Sequence, residues 1–433
     1  MSQLRDFQRH VYESYRVSTD TEGTLYNGVP SVVSHIFSER FYDMNISESI
    51  KYVGVSDATI DLFESQYEMQ SGMLYNSYVI FDEKIAITDT VDKRAVDEWI
   101  ANVKNVLEGR KPSYLIIHHL EPDHSAGILK LHELYPDMKL VGNAKTFQLL
   151  PQFFDEDLSS LYETVADGGE LSLGKHTLKF FMAPMVHWPE VMLSFESSEG
   201  VLFSADAFGK FGIETDTDDW ACEARRYYFN IVGKYGAMVQ ALIKKLTNAS
   251  VIDNCKIICP LHGPVLKENL GYYIGLYDTW SNYKPEDEGI LIACASIHGN
   301  TWKAAEYLRD KLEELGAPKV VLTDVCRSDV AEIIEDAFRY DRMVLMSSSY
   351  DAGLFPPMES FLHHLAAKKY CNRRVALIQN GTWAPSAAKC MQAILDPLQG
   401  IEYVGETITI KTTMSEENRS QIDKLAQELS DRR

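Results

Sequence analysis

The chain has no C-x-x-C pair, no apolar run of membrane-spanning length and no excess of positive charge, and each absence removes a class of protein. Its seven cysteines, Cys222, Cys255, Cys259, Cys294, Cys326, Cys371 and Cys390, are an odd number scattered over 433 residues. That is not a disulfide framework, so reduced thiols are expected. The closest pair, Cys255 and Cys259, has three residues between its members. Zinc ribbons and a fused rubredoxin-like iron centre need paired thiolates at shorter spacing and are excluded. A formal net charge of -21 argues against binding nucleic acid, which requires a basic surface, and an anionic membrane would repel the chain. The opening segment MSQLRDFQRHVYESYRVSTD has no apolar core of signal-peptide length. A cytoplasmic protein is expected.

What is present suits large cores: 45% of residues are hydrophobic and 11% aromatic, in a chain long enough for two or three domains. From about residue 50 to 265, short β-rich runs recur between turn signals, including KYVGV, SYVIF, KIAITDT, YLIIHH, KLVG, TLKFFMAP, VMLSFES, GVLFSAD and KIICP. Helical stretches are sparser there, for example VDEWIANVKNVLEG and YYFNIVGKYGAMVQALIKKL. This predicts layered α/β structure. From about residue 289 five strands alternate with five helices, which predicts a doubly wound parallel sheet. Residues 283–289, YKPEDEG, are polar and broken by Pro285 and Gly289, so they are expected to be a linker. The expected division is an N-terminal extension at 1–45, an α/β domain at 46–282, the linker, and a second α/β domain at 290–433. The extension carries no recognisable chemistry, and is expected to pack on the next domain or on a partner.

One stretch concentrates chemistry. Residues 114–127, YLIIHHLEPDHSAG, place His118, His119, Glu121, Asp123 and His124 in seven consecutive positions after an apolar run. Pro122 forbids regular continuation of the strand, so these residues are expected on the loop at its C-terminal end, a position that favours function over packing. Imidazoles and carboxylates at this density suit two cations that share a carboxylate. Further ligands are expected from later strand exits: His187 in MAPMVHWPE, Asp206 in LFSADAFG and His262 in CPLHGPV.

This order, H-x-E-x-D-H followed by a histidine, an aspartate and a histidine, resembles the flavodiiron version of the metallo-β-lactamase fold. Hydrolases of that fold typically have histidine where this chain has Glu121, and a carboxylate there suits redox-active iron better than zinc. The resemblance implies a metallo-β-lactamase-like αββα sandwich with His119, Glu121 and His187 on one iron, Asp123, His124 and His262 on the other, and Asp206 bridging them. His118 is then no ligand but a residue behind the ligands or at the strand end. The interval from Asp206 to His262 is somewhat shorter than in the family, which bears on access to the site more than on metal binding.

The second half carries its own site. After ILIACAS, the turn Ser296, Ile297, His298, Gly299, Asn300, Thr301 opens a helix, offering hydroxyls and backbone N–H groups to a phosphate. No Gly-Lys-Ser/Thr follows, so it is not a nucleotide-hydrolysing P-loop. Two later strand-end loops join small residues to an aromatic. One holds Ser348, Ser349, Tyr350, Asp351, Ala352 and Gly353, the other Asn380, Gly381, Thr382, Trp383 and Ala384. They lie where a flavodoxin-like sheet holds FMN, and all three loops resemble the flavodoxin module of flavodiiron proteins.

The resemblance, which covers residue 46 to the C-terminus, implies an oxidoreductase that reduces dioxygen to water, nitric oxide to nitrous oxide, or both, with dioxygen favoured as the principal substrate. FMN would take electrons from an external donor (a rubredoxin, a flavoprotein reductase or reduced deazaflavin), whose docking is expected on a basic patch around Lys368, Lys369, Arg373 and Arg374. It also implies a head-to-tail homodimer or a dimer of dimers. The alternatives are a metallo-β-lactamase-fold hydrolase with a fused flavodoxin, and an electron carrier with a structural metal site.

Overall fold

The computed structural model describes residues 46–431. The N-terminal extension lies outside the described residues, which belong to one compact unit.

Two sheets build the first half. The six-stranded one runs Ile50–Tyr52, Tyr78–Ile80, Ala86–Thr88, Tyr114–Ile116, Lys139–Gly142, Tyr162–Thr164 in space. Its first two junctions are antiparallel and its last three parallel. The five-stranded one runs Glu170–Ser172, Thr177–Met182, Met192–Glu196, Val201–Phe203, Ile257–Cys259, a meander ending in one parallel pair. Ile87, Leu115 and Leu140 of the first sheet share one apolar core with Phe181, Leu193 and Leu202 of the second. Most strands in this pair of sheets are short and largely buried, the edge strands Tyr162–Thr164 and Glu170–Ser172 excepted, so the chain leaves the core within a few residues at the strand exits. The candidate ligands stand at those exits.

The second half is a parallel sheet in the order Val320–Asp324, Asp287–Ala295, Tyr340–Tyr350, Arg373–Asn380, with Ile401–Tyr403 and Ile408–Ile410 both on the last of these. Five helices, Asn300–Glu314, Val330–Arg339, Pro356–Ala367, Ala387–Leu395 and Glu416–Ser430, accompany it. This is the flavodoxin-like winding. Three expectations are corrected. The run YVGETITI is not one strand but two segments, divided where Gly405 takes φ 67°, a left-handed conformation no strand continues through. The run 227–246 is not one helix. Trp220–Tyr227 passes into a π-helical turn at Tyr228–Val232, a 3-10 turn at Gly233–Tyr235 and then the helix Gly236–Asn248. A Cβ at Gly236 would stand 2.4 Å from Ser281 O, so the backbones meet there at a distance only glycine permits. Third, the strand Asp287–Ala295 begins inside the polar stretch 283–289.

The halves are joined by more than a linker. Phe229 stacks on Phe338 with centroids 4.1 Å apart. Arg225, buried, makes a two-pronged pair with Glu286 at 2.7 Å on each prong and also contacts Glu335. Arg226 reaches Asp329 at 2.6 Å and Glu332 at 3.0 Å. Such charges are tolerated inside a protein only when paired. The basic patch expected around Lys368, Lys369, Arg373 and Arg374 loses two of its four members to the chain itself. Lys368 Nζ donates to Asn230 O, and Arg373 is buried, donating to the carbonyls of Tyr340 and Tyr283 at 2.8 Å each. These cations serve chain carbonyls rather than a partner.

Candidate metal centre and flavin pocket

The strand Tyr114–Ile116 ends two residues before His118, and the ligand-rich segment does not continue as an irregular loop throughout. Pro122 is the first residue of a short helix, Pro122–Ser125, with Glu121 extended before it. Proline suits this place because its missing N–H would have no helical partner. The helical turn is tied down by Thr90, whose N–H and hydroxyl donate to His124 O at 2.8 and 2.9 Å. Glu121 and Asp123 therefore project to different sides of one turn.

Two clusters result. His119, Glu121, His187 and Asp206 form one, and Asp123, His124 and His262 the other. Glu121 Oε2 lies 3.2 Å from His119 Nε2 and 3.0 Å from His187 Nε2. Asp123 Oδ2 lies 3.4 Å from His124 Nε2 and 3.3 Å from His262 Nε2. Asp206 faces both. Its Oδ2 is 3.4 Å from His119 and 3.2 Å from His187, and its Oδ1 is 3.3 Å from His124 and 3.7 Å from His262.

The oxygens of Asp123 and Asp206 and Nε2 of His187 are buried without a hydrogen-bond partner. Unsatisfied polar atoms at this density are costly unless a cation completes them. Electrostatics agree. Burial opposes charge on His119 and His187, yet the facing carboxylates raise both imidazoles, His187 to about 9. Burial likewise opposes ionisation of Asp206, but the surrounding imidazoles hold its carboxyl well below the usual range. Protons thus supply the balancing charge that a metal would supply, and a metal must displace them. The donor set, four imidazoles and three carboxylates, fits two cations.

Residues behind the ligands set their orientation. His119 Nδ1 lies 2.8 Å from Glu190 Oε1, which also accepts from Leu120 N at 3.0 Å. His262 Nδ1 donates to Leu74 O at 2.7 Å. His118 points away from the cluster, its Nδ1 at 2.6 Å from Asp89 Oδ2 and its Nε2 at 2.8 Å from Ser194 Oγ. Sequence reading missed Asp89 and Glu190. Their signals were a carboxylate at the exit of ITDT and one three residues past His187. Aromatic edges of Phe63, Tyr75 and Trp188 close around the imidazoles, with centroids 5.3 to 5.7 Å away.

In the second half a cavity of about 470 Å³ opens at the carboxyl ends of the parallel strands. Ser296, Ile297, His298, Asn300 and Thr301 line one side, and Ser348 to Ala352 with Asn380 to Ala384 the others. Gly299 and Gly353 do not line it. Gly299 instead takes φ 83°, turning the chain into the helix Asn300–Glu314, and Gly353 pairs back on Tyr350. Thr412 also lines the cavity and went unrecognised in the sequence. It is clamped by Asn380 through two hydrogen bonds of 3.0 Å. Tyr350 is 45% exposed and Trp383 is 91% exposed, and both line the cavity. Hydroxyls and a helix N-terminus at one end with aromatics at the rim fit a phosphorylated flavin.

Comparison with known proteins agrees with both halves. Residues 73–263 match the family described as ODP family beta lactamase. The nitric oxide reductase of Moorella thermoacetica is 28% identical over 370 residues, covering 83% of this chain and 91% of that protein. Among solved structures, rubredoxin oxygen:oxidoreductase from Desulfovibrio gigas superposes with a TM-score of 0.83 at 24% identity, covering 89% of this chain and 97% of that one. The flavodiiron protein from Giardia intestinalis gives 0.82 at 22%, covering 89% and 96%. With a β-lactamase-type half that carries Glu121 among its candidate ligands and a flavodoxin-like half behind it, the chain shares the fold of these flavodiiron structures and is similar over most of its length to the Moorella nitric oxide reductase.

Proposed function

We propose that this chain is an FMN- and diiron-dependent oxidoreductase that reduces dioxygen to water, nitric oxide to nitrous oxide, or both, with dioxygen the principal substrate. The observation that carries the reading is Asp206, whose two oxygens are divided between two imidazole pairs. A hydrolase with histidine at position 121 would hold a softer site. In this reading His119, Glu121, His187 and Asp206 hold one iron, and Asp123, His124, His262 and Asp206 the other. The cavity at Ser296–Thr301, Ser348–Ala352 and Asn380–Ala384 holds FMN. When bound, two ferrous irons and a two-electron flavin supply four electrons, the number that takes dioxygen to two waters.

The chain's own residues do the rest. Glu190 and Leu74 O fix which nitrogen His119 and His262 present. Phe63, Tyr75 and Trp188 keep bulk water from the imidazoles, which strengthens the electrostatics inside. Thr301 and Ser348, with hydroxyls 3.2 Å apart, offer donors where a phosphate would sit.

The two sites lie at strand exits of separate halves of the chain, and a head-to-tail dimer would bring one subunit's flavin to the other's irons. Electrons come from a separate donor of the rubredoxin, flavoprotein or deazaflavin class, and the chain works in the cytoplasm as domains 46–282 and 290–433 behind the extension 1–45.

The test is elemental analysis and the visible spectrum of the purified protein, then stopped-flow oxidation of the fully reduced form by each gas. Two irons and one FMN per subunit with fast, peroxide-free oxidation by dioxygen are expected. Full activity with zinc alone would overturn the reading, and nitric oxide turnover far above that with dioxygen would reverse the substrate preference.

A further inference from the structure

A cavity of about 320 Å³ opens beside the metal-ligand cluster, lined among others by Glu64, Tyr75, Asp92, Arg94, Glu121 and Asp123. Since Glu121 and Asp123 belong to the ligand set, this space leads to the site. Its outer lip is the tip of a hairpin formed by Leu62–Phe63 and Tyr67–Glu68.

The tip is built in an unfavourable way. Glu64 and Ser65 take φ 48° and 58°, and Gln66 N donates to Phe63 O at 3.0 Å. Two successive left-handed residues make a hairpin turn that strongly prefers asparagine and glycine. A side-chain-bearing residue there costs roughly 1 kcal/mol or more, and such outliers gather at functional sites. The strain is held by packing on both sides of the turn. Phe63 sets its ring edge against His262 at 5.5 Å, and Tyr67 donates from its hydroxyl to Asn230 O at 3.1 Å.

The charges of the lip are unequal. Arg94 supplies the positive charge of the cavity wall, and it is already met by Asp92 at 3.0 Å and Asp57 at 3.6 Å. Among the described residues Glu64 has no ion pair, and its carboxylate accepts from Gln66 Nε2 at 3.0 Å. Glu64 lines the same cavity as the ligand carboxylates Glu121 and Asp123, so these carboxylates share one field.

Resting on the reading of the site as a gas-reducing metal centre, we propose that Glu64 is a specificity-determining residue: its carboxylate sets a negative lip that passes uncharged diatomic molecules and turns back small monoanions such as azide or nitrite. A cleft lined by one sign of charge focuses its field into the opening. The positive metal site within would otherwise draw such anions in and be blocked by them.

The experiment uses the full metal-loaded protein with Glu64→Gln, Glu64→Lys and Glu64→Gly, the last removing charge and backbone strain together so that a stable neutral variant is in hand. Azide binding is titrated by absorption, and nitric oxide binding serves as the neutral control. Azide affinity is expected to rise about three- to tenfold in Glu64→Gln and Glu64→Gly and further in Glu64→Lys, the gain shrinking in high salt. Nitric oxide affinity is expected to stay within about twofold. Azide affinity unchanged in all three variants, or azide and nitric oxide rising together, would overturn the proposal, the latter because it marks a steric opening. Elemental analysis of the same samples separates the two claims: missing metals in the wild-type protein sink the reading of the site, whereas full metals with unchanged azide affinity sink the lip alone.

Discussion

Removing the carboxylate behind His119 should weaken metal binding without touching a ligand. Glu190 is fully buried, with Oε1 at 2.8 Å from His119 Nδ1 and 3.0 Å from Leu120 N. It therefore fixes the ring plane, holds the proton on Nδ1 and leaves Nε2 free to bind. Glu190→Gln keeps an oxygen for both donors but loses the negative charge. Glu190→Ala leaves both donors without that acceptor and frees the ring to turn. Partners of this kind typically contribute ten- to a hundredfold to metal affinity, about 1.4 to 2.7 kcal/mol. The glutamine variant is expected near the lower figure and the alanine variant near the upper. Competition against a chelator of known affinity measures the loss, with circular dichroism as the check on folding. Affinities within twofold of wild type in both variants would refute the idea that Glu190 orients His119.

His187→Asn should reduce iron content and abolish gas reduction while leaving FMN bound, as read by elemental analysis and the flavin spectrum; retained iron would remove His187 from the ligand set. Trp383→Ala should raise the FMN dissociation constant several-fold, for loss of roughly 0.5–1.5 kcal/mol of ring packing, followed by the recovery of free-flavin fluorescence; no change would place the indole outside the flavin site. Glu335 is buried against an arginine already neutralised by Glu286, and burial pushes its carboxyl up to about 8. Folding therefore takes up a proton between the ordinary carboxylate range and pH 8, so this contribution to stability is complete at low pH and is lost as pH rises toward 8. Glu335→Gln should flatten the fall in melting temperature between pH 5 and 8, and an unaltered slope would contradict the assignment. Mixing an iron-ligand variant with a flavin-loop variant should restore part of the activity if electrons cross between subunits; persistent inactivity after proven subunit exchange would mean transfer within one chain.

The metal motif was legible because its information is local. His119, Glu121, Asp123 and His124 fall within six positions, and the exits that carry His187, Asp206 and His262 could be read from where apolar runs stop. The alternation of the second half was legible for the same reason, since its period shows in any short window. What escaped depends on partners distant in sequence. Glu190 became meaningful only when the fold brought it to His119, 71 positions away. Arg373 looked like a surface cation because nothing nearby in the chain announces the carbonyls of Phe338, Tyr340 and Tyr283 that surround its guanidinium. The break after Tyr227 was hidden in an unbroken helical pattern, since the close approach of Gly236 to Ser281 is a tertiary event. Thr412 was missed because the loop that carries it lacks the small-residue and aromatic signature of the loops with Tyr350 and Trp383.

The guanidiniums of Arg225 and Arg226 bear on how this chain can be rebuilt or recombined. A flavodoxin taken from another source and grafted in place of the second half would arrive without Asp329, Glu332 and Glu335. Arg225 would keep Glu286, which neutralises it, but Arg226 would keep only Glu223 at 3.2 Å and face a foreign helix without its partners Asp329 and Glu332. Leaving a buried charge uncompensated costs about 3–5 kcal/mol, a large part of the stability of an ordinary domain. The two halves are thus not interchangeable cassettes, and a working chimera would need the acidic face of the helix Val330–Arg339 copied along with it, or both arginines replaced by apolar residues of similar size.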